Sequence, residues 1–167
     1  MNIEIMKMEE KDIPEVVDIQ IGGWQTAYKG IIDQDFLDSM DREERIAKNK
    51  ETYKERTAIV AKINNEVVGF CRYTAPANDI YGEEYDSEIV GLYVKPDKKG
   101  LGIGRTMFEY VQNEFRKLNK HKMLLWCLKE NYPSRGFYEK MGGKLVKEKE
   151  YEIGGKMYLE VGFGYEL

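Results

Sequence analysis

Apolar positions along the chain recur with two different periods, and each change of period predicts the end of one element and the start of another. Apolar residues at 13, 16, 17, 21 and 24 follow helical spacing after Asp12 and Pro14, which predicts a helix capped by Asp12 and running toward Tyr28. A short helix near residues 36–40 and a polar helix over residues 42–55 are expected next.

A second long amphipathic helix is predicted from apolar residues at 103, 107, 111, 115 and 118, and a shorter one over 133–141 ends at paired glycines. Alternating or continuous apolar, β-branched segments predict strands. These segments are residues 3–8, 58–63, 67–74, 88–94, 123–128, 144–151 and 156–166. The hairpins require antiparallel neighbours and the central strand–helix–strand unit requires parallel ones, so a single α/β (or α+β) domain over residues 1–167 with a mixed sheet is expected.

Composition narrows the class of function. The 26 basic and 30 acidic residues give a net charge of −4, which disfavours nucleic acid or an anionic membrane as partner and mildly favours cationic small molecules. Cys71 and Cys127 lie in apolar segments, so we expect buried free thiols. With His121 as the one histidine, no metal site is expected. The chain shows neither a signal-peptide pattern nor an apolar run of about 20 residues, which predicts a cytoplasmic protein.

A glycine-rich segment between a predicted strand and a predicted helix is the most informative part of the chain. Its residues are Lys98, Lys99, Gly100, Leu101, Gly102, Ile103, Gly104 and Arg105. Glycine lets the backbone approach a ligand closely, and the start of the following helix adds free N–H groups that favour anions. The segment therefore favours a phosphate site over a turn without a ligand.

Two common nucleotide-binding loops do not fit this segment. A Walker loop ends in Gly-Lys-Ser or Gly-Lys-Thr, whereas Gly104 precedes Arg105, and a dinucleotide fingerprint needs a glycine where Met107 stands. The segment instead resembles the signature loop of the GNAT superfamily of N-acetyltransferases: Arg or Gln, two residues, Gly, one residue, then Gly or Ala. Lys99, Gly102 and Gly104 fill those positions, and lysine for arginine keeps the charge but changes the geometry of phosphate contact.

The resemblance implies an acetyl-CoA site. In the family the backbone amides of the loop hold the pyrophosphate of the co-substrate, and the preceding strand pairs with its pantetheine arm. The residues implied are Leu92, Tyr93 and Val94 in the strand, and Lys99, Gly100, Leu101, Gly102, Ile103, Gly104 and Arg105 in the loop.

A second match follows the next strand. Asn131, Ser134, Phe137, Tyr138 and Gly142 resemble the family pattern of Asn, two residues, Ala, two residues, Phe-Tyr, three residues, Gly, with serine replacing alanine and a glycine where an aromatic residue usually follows. Taken alone, the aromatic pair would be core packing. Together with the glycine loop, in order, it implies a GNAT-like fold: a mixed, mostly antiparallel central sheet flanked by helices, with a central βαβ acetyl-CoA site.

Acetyl transfer requires a neutral amine, a donor to the developing oxyanion and an acid for the departing thiolate. By resemblance, Tyr138 is that acid, and Asn131 and Ser134 join it at the co-substrate. The oxyanion donor would be a backbone N–H of Leu92 or Val94. Glu88 begins the strand where many family members carry a glutamate that takes the amine proton; a solvated acid at a strand end is the other interpretation.

The acceptor is less well specified. Glu83 and Glu84 belong to an acidic loop that is either solvated or attracts a polyamine, and Trp24 and Tyr28 either wall the acceptor pocket or pack in the core. The sequence thus predicts acetyl transfer to a small-molecule primary amine, with a polyamine-like acceptor favoured. A non-catalytic acyl-CoA sensor and a protein N-acetyltransferase are the alternatives, and the family implies a homodimer by analogy.

Overall fold

A seven-stranded sheet forms the centre of the computed structural model, which describes residues 1–77 and 84–167. The strands are β1 (Glu4–Lys7), β2 (Thr57–Ile63), β3 (Glu66–Thr74), β4 (Ser87–Val94), β5 (Lys122–Leu128), β6 (Lys144–Ile153) and β7 (Lys156–Glu166). They are ordered β1-β2-β3-β4-β5-β7-β6, and every neighbouring pair is antiparallel except β4 and β5. The predicted mixed, mostly antiparallel sheet is confirmed.

Helices cover both faces of this sheet. They are α1 (Ile13–Ala27), α2 (Gln34–Asp38), α3 (Arg42–Thr52), α4 (Ile103–Lys117) and α5 (Tyr132–Lys140). We call the side covered by α4 and α5 the α4 face; its core includes Met107, Phe115 and Phe163. We call the side covered by α1, α2 and α3 the α1 face; there Val17 packs with Phe70. No helix in the described part of the chain is long and apolar enough to cross a membrane.

The sheet opens at its centre. β4 and β5 pair in parallel only from Ser87 to Ile89 against Met123 to Leu125, and both strands then continue without pairing to each other. β4 also carries a bulge, because Ile89 and Gly91 oppose consecutive residues of β3 and leave Val90 without an opposite residue. A bulge bends its strand and increases the local twist, so it helps the two strands diverge.

Most predicted boundaries lie within a few residues of those observed. Asn64 and Asn65 both have positive φ in the first hairpin turn, as do Gly154 and Gly155 in the last.

The role predicted for Asp12 was wrong. Its side chain makes no capping bond to α1; instead Oδ2 accepts from the Glu9 N–H at 2.9 Å, and Oδ1 pairs with Lys62 Nζ at 2.9 Å. Burial accounts for this, because a buried carboxylate requires a charged partner.

Candidate functional site

A cavity of about 480 Å³ occupies the gap where β4 and β5 diverge. Its walls come from both faces of the sheet: the glycine loop and α5 on the α4 face, and the end of α1 on the α1 face. The predicted co-substrate residues, with one exception, line it. The exception is Leu101, an exposed residue outside the lining.

The glycine loop has the backbone geometry of an anion cradle. Gly100 and Gly102 have φ of +80° and +82°, a region that other residues rarely adopt, and Gly102 is the N-cap of α4. The first N–H groups of α4 have no acceptor within the helix, so they and the positive end of its dipole are directed toward the loop. Lys98 and Lys99 add positive charge to the same wall, and Arg105 lies there with its Nε paired to Glu109 Oε1 at 2.8 Å. These features fit a pyrophosphate.

Gly104 serves a different purpose, which is close packing. A Cβ at this position would lie 3.4 Å from the Phe137 ring and within 3.7 Å of the side chains of Leu92 and Val94. The start of α4 therefore lies close against both β4 and α5. This contact brings the cradle, the open edge of β4 and α5 around one cavity.

The first turn of α5 presents Asn131 and Ser134 to the cavity. Asn131 is buried at the N-cap, and its Oδ1 accepts from the Ser134 N–H at 3.4 Å. This cap fixes the start of the helix about two turns before Tyr138, and Ser134 lies one turn before it; residues three, four or seven apart share a helix face. Asn131, Ser134 and Tyr138 consequently line the same wall.

The backbone of Tyr138 is held by two hydrogen bonds. Its carbonyl accepts from the Tyr165 hydroxyl at 2.9 Å and from the Gly143 N–H at 3.0 Å. A Cβ at position 143 would lie 2.6 Å from the Tyr165 oxygen. Glycine at 143, which departs from the family pattern, thus leaves room for the hydroxyl that positions Tyr138.

Burial sets the protonation state of the cavity side chains. Desolvation raises the pKa of Tyr138 well above the usual tyrosine value, with further contributions from Cys127 and Tyr28. Desolvation likewise raises the pKa of Cys127 to about 12. Tyr138 is therefore a neutral phenol able to donate a hydrogen bond, and Cys127 is a protonated thiol with little nucleophilic character.

On the α1 face, Trp24 and Tyr28 both line the cavity and also pack against each other, with ring centroids 5.0 Å apart. Trp24 Nε1 donates to the Tyr93 hydroxyl at 3.0 Å, so the side chain of Tyr93 ties α1 to β4. Glycines leave space for that ring, since a Cβ at Gly91 would lie 2.9 Å from it and one at Gly23 3.3 Å. The alternatives of wall and core packing thus both apply to this aromatic pair.

The acidic residues singled out in the sequence occupy different places. Glu88 is 8% exposed and does not line the cavity; it lies on β4 on the α1 face, two residues before Val90, which does. Glu84 is exposed and pairs with Lys147 Nζ at 3.2 Å, outside the lining. Glu83 lies outside the described residues.

Several lining residues were missed by the sequence reasoning. They are Trp126, Cys127, Leu128, Tyr151, Ile153 and Glu160. They come from β5, β6 and β7, where continuous or alternating apolar residues predict strands and nothing marks a ligand contact. Both cysteines are buried free thiols, as predicted. Within residues 1–77 and 84–167, no group of three metal-ligating side chains occurs.

Comparison with known proteins identifies the family. The model of the acetyltransferase (GNAT) family matches residues 22–143. An uncharacterized N-acetyltransferase of Bacillus subtilis, YuaI, is 24% identical over 163 residues, covering 98% of this chain and 92% of that protein. The spermidine N(1)-acetyltransferase of Thermoplasma acidophilum is also 24% identical, covering 91% of this chain and 99% of that protein.

A solved structure shows the same fold. The PaiA N-acetyltransferase of Thermoplasma acidophilum in complex with coenzyme A has a TM-score of 0.73 to this chain at 21% identity, covering 96% of this chain and 98% of that one. The family model spans most of the chain and contains both the glycine loop and Tyr138. This chain therefore belongs to the acetyltransferase (GNAT) family and is an acetyl-CoA-dependent N-acetyltransferase.

Proposed function

We propose that the protein transfers the acetyl group of acetyl-CoA to a primary amine of a small molecule, with a polyamine-like acceptor preferred. The observation that carries this proposal is the cavity itself, which runs through the sheet from a cationic glycine cradle to an aromatic wall on the other face. A volume of about 480 Å³ suits small ligands. Similarity to a spermidine N(1)-acetyltransferase over 91% of the chain supports the acceptor class.

The reaction proceeds by direct attack. The amine nitrogen forms a bond to the thioester carbonyl carbon, the carbonyl oxygen becomes an oxyanion, and the carbon–sulfur bond breaks as the amide forms. Beyond Ile89 the edge of β4 is not paired with β5, and this supports the proposal that a backbone N–H of Leu92 or Val94 binds the oxyanion.

Tyr138 acts as the acid to the departing thiolate. Because its pKa is raised, the Tyr138 phenol is a weak acid. Desolvation also raises the pKa of a thiol in the same cavity, as it does for Cys127. A CoA thiolate produced there is therefore a stronger base than in water. A hydrogen bond donated by the Tyr138 phenol stabilises this sulfur.

Glu88 is the proposed acceptor of the amine proton. Its strand position faces the same side of the sheet as Trp126, because Glu88 pairs with Leu124 and side chains two apart share a face. Since Glu88 is not part of the lining, we propose that the proton reaches it through a water molecule.

The two buried free thiols suit a reducing compartment, in line with the expected cytoplasmic location.

The test is release of CoA thiol from acetyl-CoA in the presence of polyamines, aminoglycosides, amino acids or short peptides, with an amine-free control. We expect the polyamines to give the fastest amine-dependent release. A preference for peptides would favour the protein N-acetyltransferase instead. Binding of acetyl-CoA without release for any amine would favour the sensor.

A further inference from the structure

The lining of the cavity is divided between the two faces of the sheet. The glycine loop and Tyr138 lie on the α4 face, where the co-substrate is held. From there the cavity continues through the gap between β4 and β5 to Trp24 and Tyr28 on the α1 face. With acetyl-CoA on the glycine loop, this aromatic wall is the side from which an amine approaches the thioester.

Tyr28 is held in place at the end of α1. Its N–H donates to the Trp24 carbonyl at 2.9 Å, and its own carbonyl accepts from the N–H groups of Ile31 and Ile32, each at 2.9 Å. Its ring packs edge-on against Trp24, with centroids 5.0 Å apart, and joins the apolar cluster that contains Leu128. The backbone and the ring of Tyr28 are therefore both fixed without any contribution from its hydroxyl.

The hydroxyl of Tyr28 is not used by the fold. The hydroxyls of Tyr93, Tyr158 and Tyr165 each make a hydrogen bond inside the protein. Those of Tyr28 and Tyr138 make none with the residues that the structure describes, and both of these tyrosines line the cavity. Ligand sites orient their ligands with a few such polar groups in a mostly apolar wall. The Tyr28 hydroxyl is therefore available to the acceptor.

The two phenols influence each other across the gap. Desolvation makes the largest contribution to the raised pKa of Tyr138, Cys127 the next, and Tyr28 follows. Desolvation raises the pKa of Tyr28 as well, so its hydroxyl stays neutral. A neutral oxygen accepts a hydrogen bond from an amine without stabilising the ammonium form as a carboxylate does. The nitrogen can then lose its proton and attack.

We propose that the Tyr28 hydroxyl oxygen orients the attacking nitrogen by accepting a hydrogen bond from one of its N–H groups, and so selects primary over secondary amines. This inference rests on the proposed function and adds the group that binds the reacting nitrogen. A neutral primary amine has two N–H groups. Tyr28 holds one, and the other gives its proton to Glu88 through water as the nitrogen bonds to the thioester carbon and the thiolate leaves. A secondary amine has a single N–H, which that proton loss consumes.

The experiment compares putrescine with N,N′-dimethylputrescine, which keeps the chain and both charges but makes both amines secondary. Initial rates of thiol release are measured for the wild-type enzyme and for Tyr28→Phe, which removes only the hydroxyl. Tyr73→Phe is the matched control, since the Tyr73 ring also packs edge-on against an aromatic ring, that of Phe115, and does not line the cavity. CoA affinity and Tm are measured on all three proteins.

We expect Tyr28→Phe to lower kcat/KM for putrescine about 3- to 15-fold, as for loss of one hydrogen bond, and to leave the value for N,N′-dimethylputrescine within about twofold of wild type. The preference for the primary amine should shrink by the same factor. CoA affinity and Tm should not fall, because the hydroxyl has no partner to lose among the described residues. Tyr73→Phe should stay within about twofold of wild type in every rate and affinity.

Unchanged kinetics with putrescine, or an equal loss for both amines, would overturn the proposal. A loss of rate accompanied by a fall in Tm would overturn it as well and assign the hydroxyl to the fold. If only putrescine is acetylated, its loss of rate in Tyr28→Phe at unchanged CoA affinity decides the question. A wild-type enzyme that acetylates neither amine would refute the proposed acceptor class itself, so the failures of the two proposals can be told apart.

Discussion

Replacing Gly102 with valine separates the ligand-binding role of the glycine loop from its effect on folding. Gly102 has φ of +82°, and a Cβ there would meet no atom within 4 Å. The substitution therefore introduces backbone strain and places a side chain in the open space of the cavity. Gly155 is a matched control: it has φ of +81° and equally open surroundings, but lies in the β6–β7 turn outside the lining.

The magnitudes of the two effects can be worked separately. A left-handed conformation costs a residue other than glycine about 1–2 kcal/mol, which corresponds to a fall in Tm of about 2–8 °C for a chain of this length. Both variants should show this loss. Gly102→Val should in addition lose at least one N–H bond to a phosphate, about 1.5–3 kcal/mol, which weakens CoA binding about 10- to 150-fold.

The assay is isothermal titration of CoA into each variant, with Tm measured on the same samples. We expect Gly155→Val to bind CoA with the wild-type Kd and Gly102→Val to bind at least about tenfold more weakly. A folded Gly102→Val protein whose Kd lies within about twofold of wild type would refute the assignment of the loop to phosphate.

Four further predictions concern catalysis and stability. Tyr138→Phe should lower kcat about 10- to 100-fold with unchanged Kd for CoA; an unchanged kcat would remove it from the mechanism. Glu88→Gln should flatten the alkaline rise of kcat/KM with pH, and an unaltered profile would leave Glu88 a structural acid. Gly143→Ala, with its Cβ 2.6 Å from the Tyr165 oxygen, should destabilise the fold by about 1–3 kcal/mol and lower kcat; full stability in denaturant titration would contradict this. Burial raises the pKa of Cys127 from 9.0 to about 12, so its thiol ionises at a lower pH in the unfolded chain than in the folded one. The free energy of unfolding should then fall as the pH rises from 9 to 12, and it should fall less steeply for Cys127→Ala than for the wild type. Equal slopes in the two proteins would refute the raised pKa of Cys127.

The fold was largely predictable because hydrophobic period and turn chemistry agree along the chain. The α4 stripe from Ile103 to Phe115 is fully buried, as its spacing indicates, and the paired asparagines and glycines turn their hairpins as predicted. The divergence of β4 from β5 was not predictable. It depends on a bulge at Val90 and on pairing between distant strands, and neither leaves a local signal in the sequence.

The co-substrate half of the site was predictable because it lies in two short contiguous motifs. The acceptor half was not, because it is assembled from single residues on separate elements, such as Tyr28 on α1 and Glu160 on β7. In the sequence Glu160 is an ordinary polar residue of an alternating strand. Glu88 shows the opposite case, since its position at the start of the strand suggested either a proton acceptor for the amine or a solvated acid, whereas the structure buries it outside the lining.

The most direct test of the central claim is transfer of isotopically labelled acetyl from acetyl-CoA to putrescine, followed by mass spectrometry of the amine and titration of the free CoA thiol in the same sample. The account predicts one acetylated amine for each thiol released, at a rate that depends on enzyme and amine. Thiol release without acetylated amine, or CoA binding without either product, would contradict it.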